Sequence, residues 1–326
     1  MNRRKKLTIY SMLCSSFVVS ACQTPPSAET DREVIRIGHL PITHAAPLYF
    51  LDANQDDYFD GGAEVELVRF SSWIELMDAL NAGRIDGASV LFELAMKAKE
   101  RGIGLHAAAL GHREGNAVIT GNEIDDLAEL KGESVAIPHT LSAHHLLLDE
   151  MLERAGVPYD AVDVVEMPPA EMPAALGEGQ VASYIVAEPF GALGVQNGVG
   201  EVEYQSQDFC PDNCLCCALV LRDDFADANP EFADKFVESY AAAGKEAGDP
   251  TEQAIETHQA YLDVDDNVLE QSLGWISYDD LRIREEEYDY LQNKLTEMDL
   301  IDEPPDYSEF VNDEIVRDMD MDGESR

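Results

Sequence analysis

Residues 209–222 read FCPDNCLCCALVLR and hold Cys210, Cys214, Cys216 and Cys217, four of the chain's six cysteines. Thiolates ligate soft metals and exchange disulfides. A buried strand also accepts free cysteine as a small apolar residue. The spacing lacks the paired form of a zinc knuckle, so no metal ligand is assigned, and a metal-binding role for the Cys210–Cys217 stretch stands as an alternative. A Cys210–Cys214 or a Cys210–Cys216 disulfide would each fit, and sequence does not choose between them. Other chemistry has little support. There is no Gly-Xaa-Ser-Xaa-Gly elbow, phosphate-binding glycine loop or His-Glu-Xaa-Xaa-His. His144 and His145 are neighbours, unlike helical zinc ligands at i and i+4. Glu285, Glu286 and Glu287 read as a solvated helix face, as do Asp318, Asp320 and Asp322 in the tail. Neither an enzyme nor a cofactor is expected.

The fate of those thiols depends on compartment. Arg3, Arg4, Lys5 and Lys6 precede an apolar run from Leu7 to Val19, too short for a comfortable membrane span. A basic head, a short apolar middle and a small-residue end describe a secretory signal peptide over residues 1–21. Val19-Ser20-Ala21-Cys22 fits a bacterial lipobox, with Cys22 as the lipidated residue. Residues 22–33 then form a polar tether with two prolines. Outside the cytoplasm, disulfides can persist. The chain carries 65 acidic against 22 basic residues, a net charge of −43, which excludes nucleic acid or an anionic bilayer surface as a direct partner. Its 45% hydrophobic content is that of a folded protein.

From Glu33 onward, strand and helix patterns alternate. VIRIGHL (34–40) and AEVELVRF (63–70) read as strands. HAAPLYFLDAN (44–54), SWIELMDALNAG (72–83) and SAHHLLLDEMLERAG (142–156) read as helices. This is the rhythm of an α/β fold with mainly parallel sheets. A break near 111–120 and a return strand near 217–222 precede an almost wholly helical 223–300. The acidic tail from Ile301 frays or lies against the surface. The layout is two α/β lobes joined by two crossover strands, with a helical C-terminal layer: lobe one from 34–115 plus 221–326, lobe two from 116–220. A cleft between such lobes can close on a small ligand.

IGHLPITHAAPLYF, FSSWIELMDALNAGRIDGASVL, PPAEMPAALGEGQVASYIVAEPFGA and CCALVLRDDFADANPEF, in that order, resemble one family. It is the nitrate/sulfonate/taurine/bicarbonate family of substrate-binding proteins that serve ABC importers, and SLGWISYDDLRI is similar to its Gram-positive-type branch. The resemblance runs from about residue 34 to about 250. It implies a periplasmic-binding-protein-like fold (type II), capture of a small anion or sulfonate-like compound outside the cytoplasm, and delivery to a permease and ATPase. Thiamine-pyrimidine synthesis proteins share this fold, so a pyrimidine-precursor binding or synthesis protein is a second alternative; the export signal opposes the synthesis branch.

In such folds the ligand lies at the C-terminal ends of strands, where helix N-termini point free N–H groups. Thr43 is expected to cap the first helix and contact ligand. Ser72 offers a hydroxyl for an oxyanion, and Trp73 a flat wall with one donor; nitrate-type relatives have a tryptophan lining the pocket there. Ser142 and His144 sit where the second lobe's main helix begins, and the resemblance implies ligand contact at His144. Glu188 binds a cationic part of the ligand or holds the hinge through backbone N–H groups, the structural role being preferred because a bare carboxylate repels an anion. Arg113, near the first crossover, is the candidate cation. Nitrate-type relatives place a ligand-binding lysine where this chain has Cys217. That departure lowers nitrate and leaves sulfonate-like compounds ahead.

Overall fold

The strand β1 (Glu33–His39) hides Ile35 and Ile37 completely while Arg36 faces solvent, the alternation that puts one face of a strand on a core. In the computed structural model, residues 33–209, 215–249 and 251–324 are described. The leader, Cys22, the tether up to Arg32, Cys210 and Cys214 lie outside the described residues.

Eleven further strands follow: β2 (Ala63–Arg69), β3 (Gly87–Leu91), β4 (Leu105–Leu110), β5 (Arg113–Glu114), β6 (Asn116–Gly121), β7 (Ser134–Ile137), β8 (Asp163–Glu166), β9 (Ser183–Ala187), β10 (Gly200–Gln205), β11 (Cys217–Arg222) and β12 (Ile276–Ser277). The first sheet has the order β2-β1-β3-β11-β4, the second β10-β6-β9-β7-β8, and β12 pairs with β5. The chain's neighbours in sequence and sheet are joined by helices, as parallel pairing requires. Both sheets are nonetheless mixed. β11 runs antiparallel between β3 and β4, because it re-enters the first sheet from the opposite end. β6 is antiparallel to both β9 and β10 for the same reason of direction. All of β11 lies in the first sheet, so the return crossing precedes Cys217 rather than falling at residue 221.

Serine caps fix where two helices start. Ser72 accepts the Glu75 N–H ahead of Trp73–Asn81, and Ser142 accepts the His145 N–H ahead of Ala143–Ala155. The helical layer after β11 packs Phe232, Phe236 and Tyr240 of Pro230–Ala247 into the first sheet's core, against the helix Ala46–Ala53. The described part of the acidic tail takes the second of its two expected states and packs against the fold. Phe310 is fully buried against Phe92, and Val311 bridges Ala107 on β4. Apolar residues spaced through an acidic sequence outweigh its charge. Among the described residues, no helix is long and apolar enough to cross a membrane.

Candidate functional site

Three distant stretches meet where β3, β4 and β11 come together. Register places Cys217 opposite Leu91. The Phe92 N–H donates to the Cys216 carbonyl at 2.7 Å and the Gly111 N–H to the Cys217 carbonyl at 2.8 Å. The two thiols are thereby set beside the helix Phe92–Glu100 on one side and His112 on the other. Gly111 permits the third approach, since a Cβ there would stand 2.5 Å from the His44 carbonyl. His44 comes from the turn between β1 and the helix Ala46–Ala53. One ligating atom each from His44, His112, Cys216 and Cys217 then lie within 4.8 Å of one another, and all four residues are buried.

The internal geometry is specific. The His44 Nδ1 is 3.5 Å from the Cys217 Sγ and 3.7 Å from the Cys216 Sγ, and the sulfurs are 3.9 Å apart. The His44 Nε2 lies 2.8 Å from the Gly115 carbonyl. A carbonyl only accepts, so Nε2 carries the hydrogen, and in the neutral ring Nδ1 turns a lone pair to the thiols. The His112 ring lies 3.5 Å from that of His44, centroid to centroid.

Around this centre, polar atoms are buried without partners. Both oxygens of Glu93 and both ring nitrogens of His112 and of His144 have none. Burial pushes His112 down to about 4, aided by His44, and His144 down to about 4. It pushes the Glu93 carboxyl well above its usual range, aided by Cys216. For the thiols, burial raises Cys217 strongly, and the neighbouring Cys216 adds to it. Burial alone would raise Cys216 too, but the hydrogen bond with Cys217 and the two histidines outweigh it and hold this thiol well below its usual range. Two thiols, a carboxyl and the imidazoles of His44, His112 and His144 are thus buried together.

The residues expected from sequence divide sharply. His144 and Cys217 belong to this centre. Thr43 does not cap its turn, which Ile42 precedes; its N–H and Oγ both donate to the Glu188 carbonyl at 2.9 Å. That contact joins the first sheet's turn to the end of β9 in the second. Ser72 and Ser142 serve as caps. Trp73 is not a pocket wall but a core residue, 2% exposed. Glu188 accepts the Ala192 N–H at 3.1 Å and burial holds it up at about 8, so it stabilises a helix start. Arg113 is not a cation for the cleft. It is tied to Glu287 at 2.6 Å and to the carbonyls of Asp280 and Arg282. The cleft cation is instead Arg69, exposed at the end of β2, with no ion pair among the described residues. With Ile42, Phe70, Ser71, Glu75 and Phe190 it lines an open cleft of about 440 Å³, where the Ser71 hydroxyl donates to Glu75 at 2.8 Å. Cys216 is a free thiol, which removes the Cys210–Cys216 pairing. His44, Glu93, His112 and Cys216 were missed as site residues. Their one shared signal was position, at strand ends or in the turns that follow.

The NMT1-like family profile matches residues 28–260. The ligand-binding component of an ABC-type import system from Staphylococcus aureus, solved with zinc bound, is 39% identical, with a TM-score of 0.83 over 88% of this chain and 98% of that one. The periplasmic nitrate-binding protein NrtA from Synechocystis PCC 6803 shares the fold, with a TM-score of 0.79 over 91% of this chain and 90% of that one at 19% identity. Both are binding proteins. The nitrate import ATP-binding protein NrtC of Synechococcus elongatus is 29% identical over 252 residues, 69% of this chain. This chain spans only 37% of that relative's length.

Proposed function

This chain belongs to the NMT1-like family, and from that premise we propose that it is the solute-capturing component of an ABC importer, held outside the cytoplasm by lipid on Cys22. Homology to ABC-type import substrate-binding proteins supports this. The observation that carries the reading is the convergence in one buried cluster of His44 from the first sheet's leading turn, His112, and Cys216 and Cys217 at the return to that sheet, with His144 from the second sheet's helix close enough to feel their charge. A solute there touches both halves and favours their closed arrangement, which is the difference a permease can sense. The donors are soft, and Arg69, a cation with no ion pair among the described residues, sits apart from them in the outer cleft. The centre thus suits a cationic solute better than a free oxyanion, and the zinc in the Staphylococcus aureus neighbour supports that preference.

A second reading keeps the sulfonate-like anion, seated in the outer cleft on Arg69 against Phe70 and Phe190, beside Glu75, to which Ser71 donates. A melting-temperature screen of purified protein separates the two. Divalent transition metals are expected to raise the melting point, while nitrate, bicarbonate, taurine and alkanesulfonates leave it unmoved; the reverse pattern selects the anion. Cys22→Ser is expected to move the protein from the membrane fraction to the soluble extracytoplasmic fraction. Retention on the membrane would show another anchor.

A further inference from the structure

We propose that the captured solute is a single thiophilic divalent metal ion of the zinc class, ligated by His44 Nδ1, a ring nitrogen of His112, and the sulfurs of Cys216 and Cys217. This rests on the importer reading and names its substrate.

The distances carry the argument. A tetrahedral ion with metal–sulfur bonds of about 2.3 Å and metal–nitrogen bonds of about 2.0 Å spaces its sulfurs about 3.8 Å apart and each sulfur about 3.5 Å from a nitrogen. The sulfurs here are 3.9 Å apart, and the His44 Nδ1 is 3.5 and 3.7 Å from them. Packed thiols alone could reach such separations. They would not explain the company. A buried apolar contact does not gather six partnerless polar atoms on Glu93, His112 and His144, since nearly every buried polar group finds a hydrogen bond or an ion. An ion supplies the missing partner directly to His112 and a counter-charge to the carboxyl of Glu93.

The supporting shell is also present. The His44 Nε2–H donates to the Gly115 carbonyl, the arrangement that fixes a ligating imidazole's tautomer and orientation. The Cys216 thiol contacts the Asn116 Oδ1 at 3.7 Å. Two sulfurs and two nitrogens exclude magnesium and calcium, which take oxygen ligands, and select zinc-class ions. Each thiol that enters as thiolate releases its proton to solvent, and no electron moves.

The contact from His44 to Gly115 adds a consequence. Gly115 directly precedes β6 of the second sheet, while His44 leaves β1 of the first. A metal held by His44 therefore stiffens a contact that spans the two sheets.

The test uses reduced, metal-free protein and cobalt(II) as the spectroscopic probe for zinc. One equivalent is expected to give an intense thiolate-to-cobalt charge-transfer band with tetrahedral d–d bands, and one equivalent of zinc to abolish both. Cys216→Ser and His112→Gln are each expected to weaken zinc, read by competition with a chromophoric chelator, by more than about 100-fold, because even outer partners of a metal site carry about 10–100-fold. The metal-free melting curve checks that each variant folds; if one does not, the wild-type spectrum decides alone. Absence of the charge-transfer band, or unchanged affinity in a folded Cys216→Ser/Cys217→Ser protein, overturns the site. If the metal binds as described but cells with and without the protein accumulate zinc equally, the importer reading falls and the site stands. If no metal binds and a sulfonate does, the site falls and the importer reading stands.

Discussion

In metal-free protein, two histidines remote from the His/Cys centre are expected to withdraw about 6 kcal/mol of stability between them as the pH falls from 6.5 to 4. The ring of His39 is buried with Nδ1 donating to the Leu40 carbonyl at 3.1 Å. The ring of His258 is buried with Nε2 donating to the Ala247 carbonyl at 3.2 Å, edge-on to Phe50. Burial lowers each to about 4 from 6.5. The folded value lies below the unfolded one, so the contribution is complete above pH 6.5. Below it the unfolded chain takes up protons that the folded protein refuses, and stability falls until the pH reaches about 4. A displacement of this size is worth about 3 kcal/mol per histidine. Two together are a large share of the roughly 5–15 kcal/mol that holds a domain folded. The acidic surface works the other way, since protonating carboxylates relieves the self-repulsion of a chain with net charge −43. Ordinary carboxylates titrate near 4 and stay out of the window from 6.5 to 5; within it His112 and His144, also held at about 4, add to the loss, while Glu188, held at about 8, opposes it. Urea unfolding at pH steps across this window, with a chelator present, measures the slope. His258→Gln should reduce the loss by about 1.4 kcal/mol per pH unit, the share of one such histidine. An unchanged slope in His258→Gln between pH 6.5 and 5 would show that this ring is protonated in the folded state.

What sequence revealed and what it hid follow from the range of the forces involved. Strand and helix periodicity is local, so β1, β2, the helix Ala143–Ala155 and the return strand were legible to within a residue or two. The caps at Ser72 and Ser142 were legible as positions but not as roles, because a serine before a helix satisfies the backbone as readily as a ligand. The metal-ligand set was not legible. His44 and Cys216 are separated by 172 positions, and spacing rules for metal sites read only neighbours. What joins them is β11 inserting between β3 and β4, a fact of topology. Cys216 and Cys217 thus lie at the start of a buried strand, as their sequence suggests, and their spacing alone carries no information on the proposed ligand set, half of which lies elsewhere. Trp73 was misread for a related reason. Its place after β2 is right for the cleft, but its ring turns inward and leaves Phe70 and Ser71 at the opening.

Arg113 gives the other large effect, and it also tests where the cleft ends. Its guanidinium holds Glu287, which is fully buried, at 2.6 Å, and donates to two backbone carbonyls of the segment before the helix Glu285–Glu297. Arg113→Met is expected to destabilise the protein by about 3–5 kcal/mol, the usual cost of leaving one buried charge uncompensated. Arg284, at 3.3 Å from the same carboxylate, softens the loss only in part because it is far more exposed. The double variant Arg113→Met/Glu287→Leu removes both charges and should recover most of the deficit, as replacement of a whole buried pair commonly does. Urea denaturation of the two singles and the double gives the coupling directly. A loss under about 1 kcal/mol in the single variant, or no recovery in the double, would mean that water reaches the pair. The same variants separate structure from recognition. Arg113 lies outside both the His/Cys centre and the Arg69 cleft, so solute affinity per folded molecule should stay unchanged while stability drops. A selective loss of anion binding at unchanged stability would return Arg113 to the cleft, where its sequence position first put it.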